Sequence, residues 1–168
     1  MTLPAEVTLR PVTRDNFEAV TDLELLPHQR EFLASNSYSI AQASFYPNYH
    51  TRAIHAGEEL VGFMMFVALD GDEDEEGEYS IWRLMIDRRH QGQGYGRRAL
   101  QMLLDGIRAT PGASKVWISY VPGNEVASNL YASFGFVETQ IDGAGEMVAF
   151  LDLSLQLQPQ PALKAAPA

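Results

Sequence analysis

Tyr79 to Asp87 is a strongly apolar, strand-like stretch that runs into Gln91-Gly92-Gln93-Gly94-Tyr95-Gly96-Arg97-Arg98 and then into a helix. Leu100, Leu103, Leu104 and Ile107 fall on one stripe of that helix, which stops before Pro111-Gly112. Glycine at alternate positions lets the backbone turn its N–H groups inward without Cβ obstruction, and the following helix adds the positive end of its dipole. The loop is therefore a candidate phosphate cradle, and the ligand it suits is anionic. Arg97 and Arg98 in the first helical turn oppose the dipole and are unfavourable there unless something negative lies nearby.

The remaining chain reads as a mixture of strands and short helices. Val7 to Arg10 is a short alternating strand, and Asp15 with Glu18 resembles a capping box opening a helix through about Leu25. A second helix is expected from Pro27 to Ala34 and a further helical turn or two from Asn36 to Ala43. Arg52 to His55 and Leu60 to Leu69 form a hairpin across Gly57-Glu58-Glu59, and Val61 to Ala68 is apolar on both faces, which places it mid-sheet. Lys115 to Val121 is a strand and Glu125 to Phe134 a helix closed by Gly135. Phe136 to Ile141 and Glu146 to Leu153 make a final hairpin, and residues 158–168, rich in Pro and Ala, read as a disordered tail after a single domain over 1–157.

Composition excludes several classes of function. The net charge of −10 and pI near 4.7 argue against nucleic acid or an anionic membrane as partner and favour a cationic substrate. The absence of Cys removes disulfides, thiolate catalysis and Cys-based zinc sites. Asp70 to Glu78 imitates a calcium loop, but counting from Asp70 puts Glu75 where an EF-hand needs Gly and Ile81 where it needs the bidentate Glu. The four histidines, His28, His50, His55 and His90, lack metal-ligand spacing, so no metal is expected. The N-terminus lacks signal-peptide character and no apolar run approaches the ~20 residues that span a bilayer, so a cytoplasmic protein is expected.

Spacing decides among the phosphate-binding loops. A dinucleotide fold or a kinase lid uses Gly-x-Gly-x-x-Gly and a P-loop ends in Gly-Lys-Ser/Thr; neither is present. Gln91-x-x-Gly94-x-Gly96 instead resembles the Gln/Arg-x-x-Gly-x-Gly/Ala pyrophosphate loop of the GNAT superfamily of acyl-CoA-dependent N-acetyltransferases. A second, independent segment, Asn124-Glu125-Val126-Ala127-Ser128-Asn129-Leu130-Tyr131-Ala132-Ser133-Phe134-Gly135-Phe136, is similar to that family's Asn-x-x-Ala-x-x-Leu/Phe-Tyr-x-x-x-Gly-Phe pattern, and follows the expected strand. The resemblance extends to about Leu155 and implies an α+β fold: a mostly antiparallel twisted sheet of about seven strands flanked by about four helices.

The resemblance also assigns roles. It implies that the backbone groups of Leu84, Met85 and Ile86 pair with the pantetheine arm of acetyl-CoA, and that Gln91, Gly92, Gln93, Gly94, Tyr95, Gly96 and Arg97 cradle the pyrophosphate. Asn124 would contact pantetheine and Tyr131 would be the general acid for the departing thiolate. Read without the family, Asn124 and Tyr131 are almost two helical turns apart on one face with the small Ala127 between them, and Asn124 is equally well placed as a helix N-cap.

Direct transfer requires a neutral amine, and deprotonating an alkylamine at pH 7 costs about 4.6 kcal/mol. Many relatives carry Glu at the position of Ser80; this chain departs from that, and Glu78 on the same strand face is the candidate base. Within the superfamily Trp82 to Asp87, His28 to Ala34, Tyr38 to Ala43 and Ser119 to Glu125 resemble bacterial spermine/spermidine (diamine) acetyltransferases of the BltD type. Glu24, Glu31 and Tyr38 are the candidate substrate contacts. Acetylation of another amine (an aminoglycoside, an amino acid or a protein N-terminus) and a non-catalytic acyl-CoA-binding module stay open, and relatives are often homodimers.

Overall fold

The structure, a computed structural model, describes residues 5–69 and 75–157. Most of the acidic turn and the whole of the tail expected over 158–168 lie outside the described residues. Among the described residues seven strands form one sheet in the order β1-β2-β3-β4-β5-β7-β6, with β1 Val7–Pro11, β2 Tyr49–Ala56, β3 Glu59–Leu69, β4 Glu78–Ile86, β5 Lys115–Tyr120, β6 Val137–Ile141 and β7 Met147–Asp152. All neighbours are antiparallel except β4 and β5. The doubly apolar β3 lies between β2 and β4, as its composition requires.

Helices α1 (Phe17–Thr21), α2 (Asn36–Ala43), α3 (Tyr95–Arg108) and α4 (Glu125–Ser133) divide over the two faces. The buried stripe of α3, with Leu100, Leu103, Leu104 and Ile107, joins Ile81, Val116 and Tyr131 in the larger core, while Val20 and Leu23 join Phe63, Met65 and Met85 on the other side. Among the described residues no helix is long and apolar enough to cross a membrane.

Two expected helices are shorter than their sequences suggest. The Asp15–Glu18 capping box does not form: Asn16 is the N-cap residue of α1 with no side-chain cap, and its Oδ1 instead accepts from Thr13 N–H at 2.7 Å. Helix α1 stops because Glu24 is held by the end of β4: its N–H donates to Asp87 Oδ2 at 2.9 Å and its carbonyl accepts from Arg88 N–H at 2.7 Å. Pro27 to Ala34 forms only a 3-10 turn over Pro27–Gln29: the Gln29 side chain caps its start, accepting from Leu26 N–H at 3.1 Å, and is held by Gln91 across the cleft. Phe32 and Leu33, expected on a helix, follow in irregular backbone. Helix α2 forms where expected, capped by Ser35, whose Oγ accepts from Tyr38 N–H at 3.1 Å.

The feature that makes a site is the parting of β4 from β5. The two strands pair only over Glu78–Ile81 and Lys115–Ile118. At that point a bulge leaves Trp82 unpaired between Ile81↔Phe66 and Arg83↔Met65. A bulge bends its strand and shifts the facing pattern by one residue. Tyr79 and Ile81 before it, and Leu84 and Ile86 after it, accordingly all pack on the α3 side, while Trp82 and Met85 pack with α1 and α2. Beyond the bulge β4 has β3 on one side and a wedge-shaped gap on the other.

Candidate functional site

A cleft of about 450 Å³ occupies this wedge, lined by Leu84 to Ile86, by the glycine loop and by Asn124, Ala127 and Tyr131 of α4. The N–H of Asp87 donates to Val61 O on β3 at 2.8 Å. Backbone direction alternates along a strand, so Met85 shares that side, and Leu84 and Ile86 turn their N–H and C=O groups toward the gap. An extended amide-bearing ligand laid in the wedge would meet them as a further strand. The Ile86 carbonyl accepts from Gln91 Nε2 at 3.0 Å, which ties the strand to the loop.

At one end lies the loop. Gly92 and Gly94 adopt φ of +75° and +78°, and Gly94 is the N-cap residue of α3 with no side-chain cap. The first-turn N–H groups of α3 have no acceptor within the helix and open into the cleft. A Cβ built on either glycine meets nothing within 4 Å, so the left-handed backbone, and space left for a ligand, are what demand glycine here. Gly94→Ala is expected to weaken coenzyme A binding about tenfold, in line with about 1–2 kcal/mol for a left-handed alanine, measured by titration calorimetry.

The two arginines separate in role. Arg98 turns back to donate to the carbonyls of Gln93 at 3.0 Å and Ala5 at 3.1 Å, with its guanidinium 5.0 Å from the Tyr95 ring centroid, so it braces the loop. Arg97 reaches across to α4, donating to Ser133 Oγ at 2.8 Å over the Phe134 ring, and lines the cleft. Asn124 is the N-cap of α4, its Oδ1 accepting from Ala127 N–H at 3.2 Å, while it also borders the cleft. Its capping and lining positions coincide.

At the inner end the cleft narrows to a recess of about 50 Å³ shared by Tyr131, Tyr120, Ser119, Trp82, Phe32 and Leu33 among others. Tyr131 is 5% exposed and packs against Tyr120 (ring centroids 5.9 Å) and Phe136 (5.4 Å). Among the described residues its hydroxyl has no hydrogen-bond partner. Burial, and then the neighbouring Tyr120, raise its pKa above the usual tyrosine range, so it stays protonated at neutral pH. Tyr120 Oη donates to Glu138 Oε1 at 2.5 Å; burial first and that carboxylate second push its pKa up as well.

The other predicted residues lie elsewhere. Glu78 does not line the cleft: its carboxylate accepts from Lys115 Nζ at 3.1 Å and from Trp117 Nε1 at 2.5 Å. It sits on the paired part of β4, six positions before Leu84, or about 20 Å along a strand. Glu24 forms an ion pair with Arg88 at 2.8 Å, and Glu31 and Tyr38 are exposed; none of the three lines the cleft. The wall facing the loop is made instead by Leu25, Gln29, Phe32 and Leu33, which the sequence places within the two early helices. The signal that could have found them is Pro27 with Gln29 two residues later, a 3-10 turn rather than an extended helix.

Known proteins resemble this chain in sequence and in fold. The sequence profile of the Acetyltransferase (GNAT) family matches residues 17–136. Spermine/spermidine N(1)-acetyltransferase of Bacillus subtilis (strain 168) is 27% identical over 150 residues, covering 88% of this chain and 99% of its own. Spermidine N-acetyltransferase from Vibrio cholerae, solved in complex with CoA and spermine, superposes with a TM-score of 0.69 at 17% identity, over 88% of this chain and 96% of that one. Aminoglycoside acetyltransferase AAC(6')-Ib in complex with coenzyme A gives 0.70 at 18% identity, over 88% and 95%.

Proposed function

The chain belongs to the GNAT acetyltransferase family and is an N-acetyltransferase, and from that premise we propose that it acetylates a primary amine of the polyamine or diamine class by direct transfer from acetyl-CoA. The observation that carries this reading is the wedge itself: an uncapped glycine cradle at one end, strand backbone along its length and the unpartnered Tyr131 hydroxyl at the other. A phosphorylated ligand with an amide-bearing arm fits these three features together.

When bound, acetyl-CoA supplies the acetyl group as an activated thioester. Gly92 to Arg97 hold its phosphates through backbone N–H groups and the Arg97 guanidinium, and Leu84 and Ile86 orient its arm. Asn124 and the small Ala127 leave the arm room beside α4. As the amine nitrogen bonded to the acetyl carbon and the carbon–sulfur bond broke, Tyr131 Oη would donate a hydrogen bond to the sulfur on which charge develops, while the proton lost by the nitrogen passed to solvent and the thiolate took one up from it. A tyrosine held above its usual range is a weaker acid than a thiol of pKa about 8.5, so its contribution is greatest in the transition state, through hydrogen bonding to developing charge.

No carboxylate lines the cleft among the described residues, so Glu78 is not placed to act as the base. Positioning of the amine beside the thioester supplies a large share of the acceleration in its absence. Among the described residues two carboxylates reach lining side chains: Glu138 through Tyr120 at the recess, and Glu59, whose Oε1 lies 3.5 Å from His90 Nε2 at the loop end.

The acceptor class rests on the polyamine-acetylating relative that spans nearly the whole chain and on the net charge of −10, which favours encounter with a polycation. A thiol-release assay with acetyl-CoA against spermidine, spermine, an aminoglycoside and peptides with free N-termini tests it. The expected outcome is the highest kcat/KM with spermidine or spermine, falling as ionic strength rises. Faster turnover of the aminoglycoside or a peptide overturns the polyamine assignment, and coenzyme A binding without turnover of any amine overturns catalysis.

A further inference from the structure

Gln29 and Gln91 join the two halves of the cleft. Their side-chain amides pair reciprocally: Gln91 Nε2 donates to Gln29 Oε1 at 2.8 Å and Gln29 Nε2 donates to Gln91 Oε1 at 3.1 Å. Each amide also holds its own backbone, Gln29 Oε1 accepting from Leu26 N–H at 3.1 Å and Gln91 Nε2 donating to Ile86 O at 3.0 Å. Four hydrogen bonds thus connect the Leu25–Leu33 wall, the glycine loop and the cofactor strand.

Leu25 and Leu33 at the two ends of the wall pack against the smaller core, and the stretch between them has little else to place it. Among the described residues the backbone-to-backbone bonds between Leu25 and Leu33 are the short contacts of a 3-10 turn and the turn after it, Gln29 N–H to Leu26 O, Arg30 N–H to Pro27 O and Phe32 N–H to Gln29 O. Glu24 is anchored upstream by Asp87 and Arg88, and Phe32 and Leu33 face the cleft downstream. A segment with so few internal bonds lies at the low end of local stability. Whatever orders Gln91 therefore orders the wall.

We propose that Gln29 is a positioning residue that couples the two substrates: filling the glycine cradle fixes Gln91, and Gln91 through Gln29 fixes the Leu25–Leu33 wall against which the amine is held. The inference rests on reading the cradle as a coenzyme A site. Linkage makes the effect reciprocal, so each substrate tightens the other by the same factor. A factor of about five, the lower end of known coupling between sites, suits a contact made by two neutral amides.

Hydrogen exchange of the full chain with and without coenzyme A tests this, for the parent and for Gln29→Leu and Gln29→Glu. In the parent, coenzyme A is expected to slow exchange at residues 92–98 and also at 26–33. Gln29→Leu is expected to keep the first effect and lose the second, with the acceptor KM at saturating acetyl-CoA up about fivefold and kcat unchanged. Gln29→Glu retains the acceptor oxygens for Leu26 N–H and Gln91 Nε2 and is expected to restore most of the slowing, which separates coupling from a simple loss of fold. Slowing at 26–33 that survives in Gln29→Leu, or that is missing in the parent while 92–98 is protected, overturns the coupling. If the parent is not protected at 92–98, the coenzyme A site itself is refuted and the coupling with it.

Discussion

Tyr131→Phe is expected to lower the single-turnover rate of acetyl transfer by about 100-fold, at the modest end of what positioned acids contribute, while coenzyme A affinity and thermal stability change little. The substitution is clean because the hydroxyl holds no other group in place. It makes no hydrogen bond among the described residues, and the ring keeps its contacts with Tyr120 and Phe136 when the oxygen is removed. A buried hydroxyl whose deletion leaves no orphaned partner costs little in stability. The rate change therefore reports the chemical step, and a single-turnover measurement prevents slow product release from hiding it. Because burial and Tyr120 raise the Tyr131 pKa, the tyrosine form of the acid persists through neutral pH, and the parent should lose no activity through its ionisation below about pH 10. An unchanged single-turnover rate would reduce Tyr131 to a packing residue.

How much of this was readable from the sequence depended on whether the determining contact was local. The glycine loop, the stripe of α3 and the Asn124 cap are set by neighbours within a turn or two, and they form where periodicity and turn chemistry place them. The doubly apolar β3 gave its central position in the same way. Three other features were set at long range. The early helices end short because Glu24 is captured by Asp87, 63 positions later, and Gln29 by Gln91, 62 positions later. The bulge at Trp82 exists only relative to β3, yet it decides which side chains of β4 pack on the α3 side. Glu78 was chosen as base by counting alternation along one strand; counting could not reveal that Lys115 and Trp117 of the neighbouring strand claim its carboxylate. The β4–loop–α3 side of the cleft is one continuous unit and was therefore legible, whereas the Leu25–Leu33 segment takes its shape from partners some sixty positions later, Asp87 and Gln91.

Asp87 was missed for the same reason, and its loss is expected to be the most damaging single change to the frame of the site. The residue is 1% exposed, immediately after β4. Its Oδ2 accepts from Glu24 N–H at 2.9 Å, and its Oδ1 accepts from Arg89 N–H at 3.0 Å and Arg89 Nε at 2.8 Å. Burial alone would raise its pKa; the Arg89 guanidinium and the two backbone N–H groups overcome that and bring it down to about 2 from an ordinary 3.8. A depressed carboxylate contributes stability that is complete above the unfolded pKa and is lost as pH falls through the folded one, here between about pH 5 and pH 2. A shift of this size corresponds to roughly 2 kcal/mol. Asp87→Ala leaves the Glu24 N–H without its acceptor while Arg89, two-thirds exposed, is rehydrated, so the expected cost is about 2–3 kcal/mol at pH 7. Urea unfolding at pH 7 and at pH 3 distinguishes this from generic damage: the parent should lose about 1–2 kcal/mol more than the variant on acidification, because the variant has no carboxylate left to protonate. The same variant releases the anchor upstream of the Leu25–Leu33 wall, so the acceptor KM should rise while the glycine cradle, braced independently by Arg98, still binds coenzyme A. Equal acid sensitivity in the two proteins would mean that Asp87 is not the group that ties the wall to the cofactor strand.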